Sequence, residues 1–318
     1  MKHSIKELKS KALELGFQSV GVSPSKKLDK EAKLLEGWLN NNYHGEMTYM
    51  ERYFDLRIDP NALVQGTKSV IILSMNYYQE ESIQSDIKIA RYAYGQDYHK
   101  VLKAKSKLLE SWMKSTYGEI SFRAYVDSAP IMERVWAEKS GISWYGKNTL
   151  SIDPNKGSYF FLMCILTDLE FETTDPIRDY CGTCTRCIDA CPTGAIHPKG
   201  YLLDASKCIS YLTIELKNSI PEHFQGKMDN WAFGCDICQE VCPWNRFSKP
   251  TQESAFTPNK EILNLKSKEW LELSDQTWES ISSKSALKRT GKKGMERNIR
   301  FLLNKQEEHK QSIDLKLD

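Results

Sequence analysis

No cysteine occurs in the first 163 of the 318 residues. A thiol nucleophile is therefore excluded from that half. No apolar stretch approaches the roughly eighteen residues of a membrane-spanning helix. The opening Met1-Lys2-His3-Ser4-Ile5-Lys6 does not lead into the apolar core of a secretion signal. Charge of one sign is scarce in excess: 44 basic against 42 acidic side chains leave +2. That balance neither favours nor excludes a polyanionic partner. No internal repeat is visible outside the cysteines. A soluble cytoplasmic protein with no membrane partner, and a monomer, is expected.

The nine cysteines that do occur are concentrated. Cys164 lies alone in an apolar run and reads as inert. The others fall into two sets of chemical spacing. One is Cys181-x2-Cys184-x2-Cys187-x3-Cys191-Pro192, and the other is Cys208 followed by Cys235-x2-Cys238-x3-Cys242-Pro243. The first has the spacing of bacterial two-cluster ferredoxins. The second repeats its last three ligands, with Ala232 where a fourth cysteine would stand, so Cys208 is the candidate donor. A tight turn with thiols every third residue reaches three corners of a cubane cluster, and the cysteine before proline serves the other cluster. Two [4Fe–4S] clusters follow. Cys181, Cys184, Cys187 and Cys242 hold one, and Cys191, Cys208, Cys235 and Cys238 hold the other. A zinc site or disulfides are the alternatives. Zinc favours paired knuckles, and eight thiols in cluster spacing suit a reducing compartment.

Hydrophobic periodicity places helices at 4–15, 28–39, 101–117 and 131–139, and strands at 19–23, 69–75 and 121–126. Residues 148–153 and 158–167 read as a hairpin around Pro154-Asn155-Lys156-Gly157. Three regions are expected: an α/β domain at 1–175, a two-cluster ferredoxin-like domain at 176–250, and a C-terminal helical segment at 251–318 that ends in a polar tail from Lys305.

Several motifs carry two readings. Gly141 to Asn148 approaches a phosphate-binding loop, but Asn148 stands where Ser or Thr must hold magnesium, and a charged helix precedes it. The loop suits either backbone wrapping around a large polar ligand or a plain turn. Asp97-Tyr98-His99 starts a cobalt-ligating Asp-x-His-x-x-Gly signature that fails at Leu102; His99 then reads as a packed or hydrogen-bonded residue. Asp127, after an apolar strand, is either a helix N-cap or a catalytic carboxyl, whose pKa an apolar surround would raise. Arg57 either binds an anion or pairs with a carboxylate. Lys284, Lys288, Arg289, Lys292, Lys293, Arg297 and Arg300 stand against Glu296. That run is either a solvated face or a phosphate-contact patch for nucleic acid.

Taken in order, Arg57-x-Asp59-Pro60, Tyr98-His99, Asp127-Ser-Ala-Pro130, Glu133-Arg134, Gly141-x-x-Trp144-x-Gly-Lys-Asn148 and the two cysteine sets resemble the epoxyqueuosine reductase family, over about residues 5–303. That family is in turn similar to reductive dehalogenases. The resemblance implies a corrinoid-binding α/β domain, a ferredoxin-like domain and a short helical, HEAT-like segment. It implies reduction of epoxyqueuosine to queuosine at the wobble position of tRNA, the last step of queuosine synthesis. The cofactors would be two [4Fe–4S] clusters and base-off cobalamin, with an external one-electron donor. The proton donor would fall on Asp127. Corrinoid contacts would fall on Arg57, Trp144, Gly146, Lys147 and Asn148. The tRNA would meet the Lys284–Arg297 segment. An electron-transfer module and a dehalogenase-like enzyme on a small substrate are the competing readings.

Overall fold

A computed structural model describes residues 2–80 and 85–314. Its centre is a four-stranded sheet. The strands are β1 (Ser19–Pro24), β2 (Ser69–Asn76), β3 (Phe122–Tyr125) and β4 (Phe160–Thr167). Their order is β1-β2-β4-β3, and every pairing is antiparallel. The architecture is mixed α/β, and its sheet is not the parallel kind that an alternating α/β pattern suggests.

The apolar run of β2 is continuous because both faces are covered. Ile71, Leu73 and Met75 face one core, shared with Leu8 and Ala12 of helix α1 (Ile5–Glu14) and with Leu102, Leu109 and Met113 of helix α3 (Tyr98–Tyr117). Val70 and Ile72 face the opposite core, with Leu28 ahead of helix α2 (Asp29–Asn40) and with Trp136 and Ala137 of helix α4 (Glu133–Lys139). Backbone closeness locks this second face. A Cβ on Gly21 of β1 would stand 2.2 Å from the Ser140 carbonyl oxygen, just past α4.

The helices expected at 4–15, 28–39 and 131–139 are found with ends shifted by one or two residues. α3 begins three residues before the expected 101, because the Asp97 carboxylate caps it by accepting from the His99 backbone N–H at 3.0 Å. The hairpin expected across 148–167 does not form. Ser151–Ile152 pairs backwards with Trp144–Tyr145, and β4 is drawn into the main sheet between β2 and β3. Only the Asp153–Gly157 bridge survives of the expected pairing. Tertiary burial of Phe161, Met163 and Ile165 outweighs the local turn signal.

The boundary expected at residue 250 falls inside a shared core. Trp270, Trp278, Leu287, Met295 and Ile299 pack with Ile209, Leu212, Trp231 and Phe233, and with Ile87, Ile89 and Ala93. Lys88–Ile89 even pairs in parallel with the Trp231–Phe233 strand. The final helix, α5 (Gly291–Asp314), carries the backbone through most of the expected polar tail; 315–318 lie outside the described residues. Among the described residues, no helix is long and apolar enough to cross a membrane.

Candidate active site

A cavity of about 390 Å³ opens between the sheet and the cysteine-rich segment. One wall comes from β4 (Phe160, Phe161), the start of α3 (Tyr98), the turn after β3 (Asp127) and the start of α4 (Glu133, Arg134). The opposite wall carries Cys191, Cys208, Cys235 and Cys238. Among the described residues, no histidine lines it.

Asp127 sits in the left-handed region at φ 55°, which costs a non-glycine residue on the order of 1 kcal/mol. Its backbone N–H donates to Glu133 Oε1 at 2.9 Å, which holds that turn. Asp127 does not cap α4; Met132 occupies the N-cap position. Its side chain is 68 % exposed in the open concavity. Tyr98 Oη donates to Asp127 Oδ2 at 2.7 Å, and His99 Nε2 lies 3.6 Å from the same oxygen. Thr149, on the same cavity wall, is also left-handed at φ 64°. It is a β-branched residue in a conformation that type rarely takes. Its carbonyl accepts from Arg134 Nη1 at 2.9 Å.

The electrostatics correct one expectation. Confinement by the surrounding protein pushes the Asp127 pKa up, but hydrogen bonds from His99 and Tyr98 outweigh it and hold the carboxyl below the ordinary range. The raised carboxyl is its neighbour. Burial, then the Asp127 charge, pushes Glu133 up to about 7. His99 moves the other way from what burial alone would do. Asp127 and Asp97 together lift it to about 9, with Asp97 Oδ1 2.8 Å from Nδ1. A proton is therefore held on His99, 3.6 Å from the Asp127 carboxylate, rather than on Asp127.

The cysteines gather as two sets of four. Cys181, Cys184, Cys187 and Cys242 line one small void, beside Lys147, Arg186 and Trp244. The other four form the cavity wall. Among the described residues, no three His, Cys, Asp or Glu side chains converge as a single metal ion requires. Four thiols around a void suit a cluster, where each sulfur binds a different iron.

Most residues expected on a corrinoid lie elsewhere. Trp144 is fully buried, and its Nε1 is 3.4 Å from Cys181 Sγ. The Lys147 backbone N–H points at the same sulfur at 3.5 Å, and its Nζ donates to the carbonyls of Gly182 and Cys184 at 2.6 and 3.0 Å. Gly146 packs against Ile152, which a Cβ would meet at 2.5 Å. Trp144 and Lys147 hold the first cysteine loop, because the Trp144–Tyr145 strand turns them away from the cavity. Arg57 is buried, donates to the Tyr49 carbonyl at 2.9 Å and does not reach the cavity wall. Asn148 alone of the five lines the cavity; it also borders the first void, and its Nδ2 donates to the Cys238 carbonyl at 3.3 Å.

The basic segment is partly consumed by structure. Arg297 donates to the carbonyls of Leu212, Leu216 and Asn218, closing the end of the 209–214 helix. Arg289 makes a two-bond pair with Glu215 and lies over the Tyr49 ring. Lys292 pairs with Asp275 and Lys288 with Glu279. Lys284, Lys288, Arg289, Lys293 and Arg300 remain solvent-exposed.

Comparison with known proteins decides the family. Residues 57–128 match the family model described as epoxyqueuosine reductase QueG, DUF1730, and residues 180–245 match a 4Fe-4S double cluster binding domain. Epoxyqueuosine reductase of Leadbetterella byssophila is 52% identical over 303 residues, which cover 95% of this chain and 99% of that protein. This chain belongs to the epoxyqueuosine reductase family. It is accordingly an oxidoreductase. The family's enzyme from Escherichia coli K12 is 43% identical over 263 residues, 80% of this chain and 69% of the relative. A crystal structure of an epoxyqueuosine reductase with an epoxyqueuosine-modified tRNA stem loop superposes with a TM-score of 0.88 at 31% identity, covering 94% of this chain and 80% of that one. A Bacillus subtilis family structure, described with its catalytic loop swung out of the active site, gives 0.87 at 30% identity over 94% and 81% of the two chains.

Sequence reasoning quoted Tyr98 and Glu133 without giving either a role. It missed Ser151, whose buried Oγ faces the cavity region without a protein partner. Only the family pattern Tyr98-His99 … Asp127 … Glu133 could have flagged the first two. Nothing in the local sequence marks Ser151.

Proposed function

We propose that this chain reduces epoxyqueuosine to queuosine at the wobble position of tRNA, in the cytoplasm and as a monomer. One observation carries the reading: a single cavity has an acid–base group on one wall and four cluster-spaced thiols on the other. Cys181, Cys184, Cys187 and Cys242 would hold one [4Fe–4S] cluster, and Cys191, Cys208, Cys235 and Cys238 the second. The donor set fits. A corrinoid fits in kind: the wall is aromatic and hydroxyl-rich, Ser151 Oγ is left for a ligand, and no histidine is there to ligate cobalt, which suits base-off cobalamin. When bound, these groups supply single electrons and a strongly reducing cobalt.

The chain's own residues do the rest. Opening an epoxide to an alkene and water takes two electrons and two protons. Asp127 faces the cavity as a carboxylate and would relay to the leaving oxygen a proton drawn from His99. His99, protonated up to about pH 9, is the source of that proton across the 3.6 Å between Nε2 and Oδ2. Tyr98 orients that carboxylate, and Glu133 holds the turn. An occupant that closes the cavity would strip water from Asp127 and strengthen each of these contacts.

The tRNA would enter over the rim where Arg289 lies on Tyr49, with Lys284, Lys288 and Lys293 meeting phosphates. Arg297 has a structural role instead. The helices after residue 259 form the short, HEAT-like contact segment. Unstacked loop bases are commonly held on aromatic rings, and Tyr49 and Tyr53 are both exposed there.

The test is anaerobic turnover of epoxyqueuosine-containing tRNA by reduced, cluster-loaded protein, with and without cobalamin, read by nucleoside mass spectrometry. Queuosine formed only with cobalamin supports the reading. No product under a competent reductant would return the chain to the electron-transfer alternative.

A further inference from the structure

The reaction proposed above consumes two protons, and the His99–Asp127 pair supplies one. Breaking the two C–O bonds of an epoxide carries its oxygen first to a hydroxyl and then to water. Each stage takes a proton. Water can give the second, but a positioned acid gives it faster. Glu133, the first residue of α4, is a carboxyl on the cavity wall that the proton relay leaves unused.

Asp127 and Glu133 are joined across the turn between β3 and α4. Glu133 Oε1 accepts from the Asp127 backbone N–H at 2.9 Å, and both residues line the cavity. That bond occupies Oε1 and leaves Oε2 for a proton. The titratable and charged groups that face Glu133 come from several elements. Asp127 approaches from the turn, and Arg134 follows on α4. Arg57 and Cys164 of β4 each feel the Glu133 charge. Both arginines are committed elsewhere: Arg134 Nη1 donates to the Thr149 carbonyl and Arg57 Nη2 to the Tyr49 carbonyl, each at 2.9 Å. Among the described residues, Glu133 has no ion-pair partner. Burial and the Asp127 charge therefore prevail and keep its proton up to about pH 7, while Asp127 stays charged. Two neighbouring carboxyls pushed apart in acidity is the arrangement that separates proton-donor from proton-acceptor roles in a shared site. The two are also coupled. When Asp127 takes up the His99 proton, the repulsion that keeps Glu133 neutral is relieved, and Glu133 becomes a stronger acid.

We propose that Glu133 is a second proton donor of the reaction: it protonates the hydroxyl formed from the epoxide oxygen and releases it as water. The inference rests on the reaction proposed above. The His99 proton, relayed by Asp127, is taken as the first C–O bond breaks. The Glu133 proton is taken as the second breaks. Two electrons from the external one-electron donor complete the C=C bond, and solvent returns a proton to His99 and to Glu133 between turnovers.

The test separates this role from holding the turn. Glu133→Gln keeps an oxygen to accept from the Asp127 N–H but has no proton to give. Parent and variant, loaded with clusters and cobalamin, are compared in single turnover of epoxyqueuosine-containing tRNA between about pH 6 and about pH 9. The variant should be about 100-fold slower at the acid end, and should approach the parent at the alkaline end. The parent's rate should fall through about pH 7 as Glu133 ionises, and the variant's should lack that fall. A second readout needs neither tRNA nor cobalamin. Infrared difference titration of the cluster-loaded parent should show a protonated-carboxyl band lost through about pH 7. That band should be absent in Glu133→Gln and should move to lower pH in Asp127→Asn. A rate ratio that is the same at every pH would make Glu133 purely structural and overturn the proposal. So would a carboxyl titration that Glu133→Gln leaves unchanged. If Glu133→Gln loads clusters poorly, Glu133→Asp replaces it: the fall should persist with a displaced midpoint, and an unmoved profile overturns the proposal. The two readings fail separately. No queuosine from the parent at any pH removes the reaction and this inference with it, whereas queuosine with a constant ratio removes the inference alone.

Discussion

The two sets of four thiols each draw on both cysteine runs and differ in what surrounds them. The first is gripped from one side by Trp144 and Lys147 and is wrapped on the other by exposed rings and arginines. The second is embedded: burial dominates the surroundings of Cys208, Cys235 and Cys238, and all four of its thiols face the cavity that holds Asp127. Two sets of four thiols thus occupy two different settings, one beside exposed aromatic rings and one on the wall of the cavity that holds Asp127. Cluster potential follows hydrogen bonds to sulfur and solvent exposure, so the environment, not the motif, separates the two roles.

The sharpest way to break that comparison is to remove one ligand from each set. Cys208→Ala should lose about half the iron and all turnover while the first cluster's signal persists. Cys242→Ala should do the reverse, losing the outer cluster and keeping the inner. Iron analysis with Mössbauer spectroscopy reads both. If Cys242→Ala removed the inner signal, the crossed assignment would be wrong.

Next in size is the acid. Asp127→Asn should lower turnover at least about 100-fold, within the usual range for general acid catalysis, with iron content and tRNA affinity unchanged. Retained turnover would move the proton to another group, and Glu133 would be the first to test.

A pH effect follows in size. His99 has its folded pKa raised to about 9 by its two carboxylate neighbours, against 6.5 ordinarily. The proton it holds therefore adds stability fully below pH 6.5, and that contribution is lost as pH climbs through about 9. Single-turnover rate should fall over the same upper limb. His99→Gln should remove the limb and leave the lower-pH profile in place, as rate-versus-pH curves of the two proteins would show.

The smallest expected effect sharpens the comparison. Trp144→Phe removes one donor to Cys181 while keeping an aromatic ring. The outer cluster's reduction potential should drop modestly and the inner one's should not move, as read by protein film voltammetry. Equal shifts in both would mean that the Trp144 contact does not distinguish them.

The elements were legible where pattern and packing agree. The run 69–75 and the helix 4–15 appear as read, because periodicity and burial point the same way. The 148–167 hairpin was misread because the turn at 154–157 is real, but β4 gains more by burying both faces in the sheet. The candidate site was legible in part. Asp127 and all eight thiols were named from sequence. Trp144 and Lys147 were expected as cofactor contacts from the family resemblance; a two-residue strand pairing turns them onto a thiol instead. In the basic run, charge alone could not tell Arg297, spent on three backbone carbonyls, from Lys293, which is exposed.

Sequence by itself determined the chemistry of the cysteine loops. Cluster ligation depends on thiols three residues apart in a turn, and that is a local property of the chain. It also determined the family, since the motifs stand in a fixed order. Tertiary structure alone decided which set faces the cavity and which faces solvent. It alone decided that Asp127 is held charged while Glu133 is pushed up to about 7. Those outcomes depend on which charges and donors lie within a few ångströms, and Tyr98 and His99 reach Asp127 from 29 and 28 residues away in the chain only because α3 and β3 pack side by side. Electrostatic environment acts through space, and spacing along the chain does not record it.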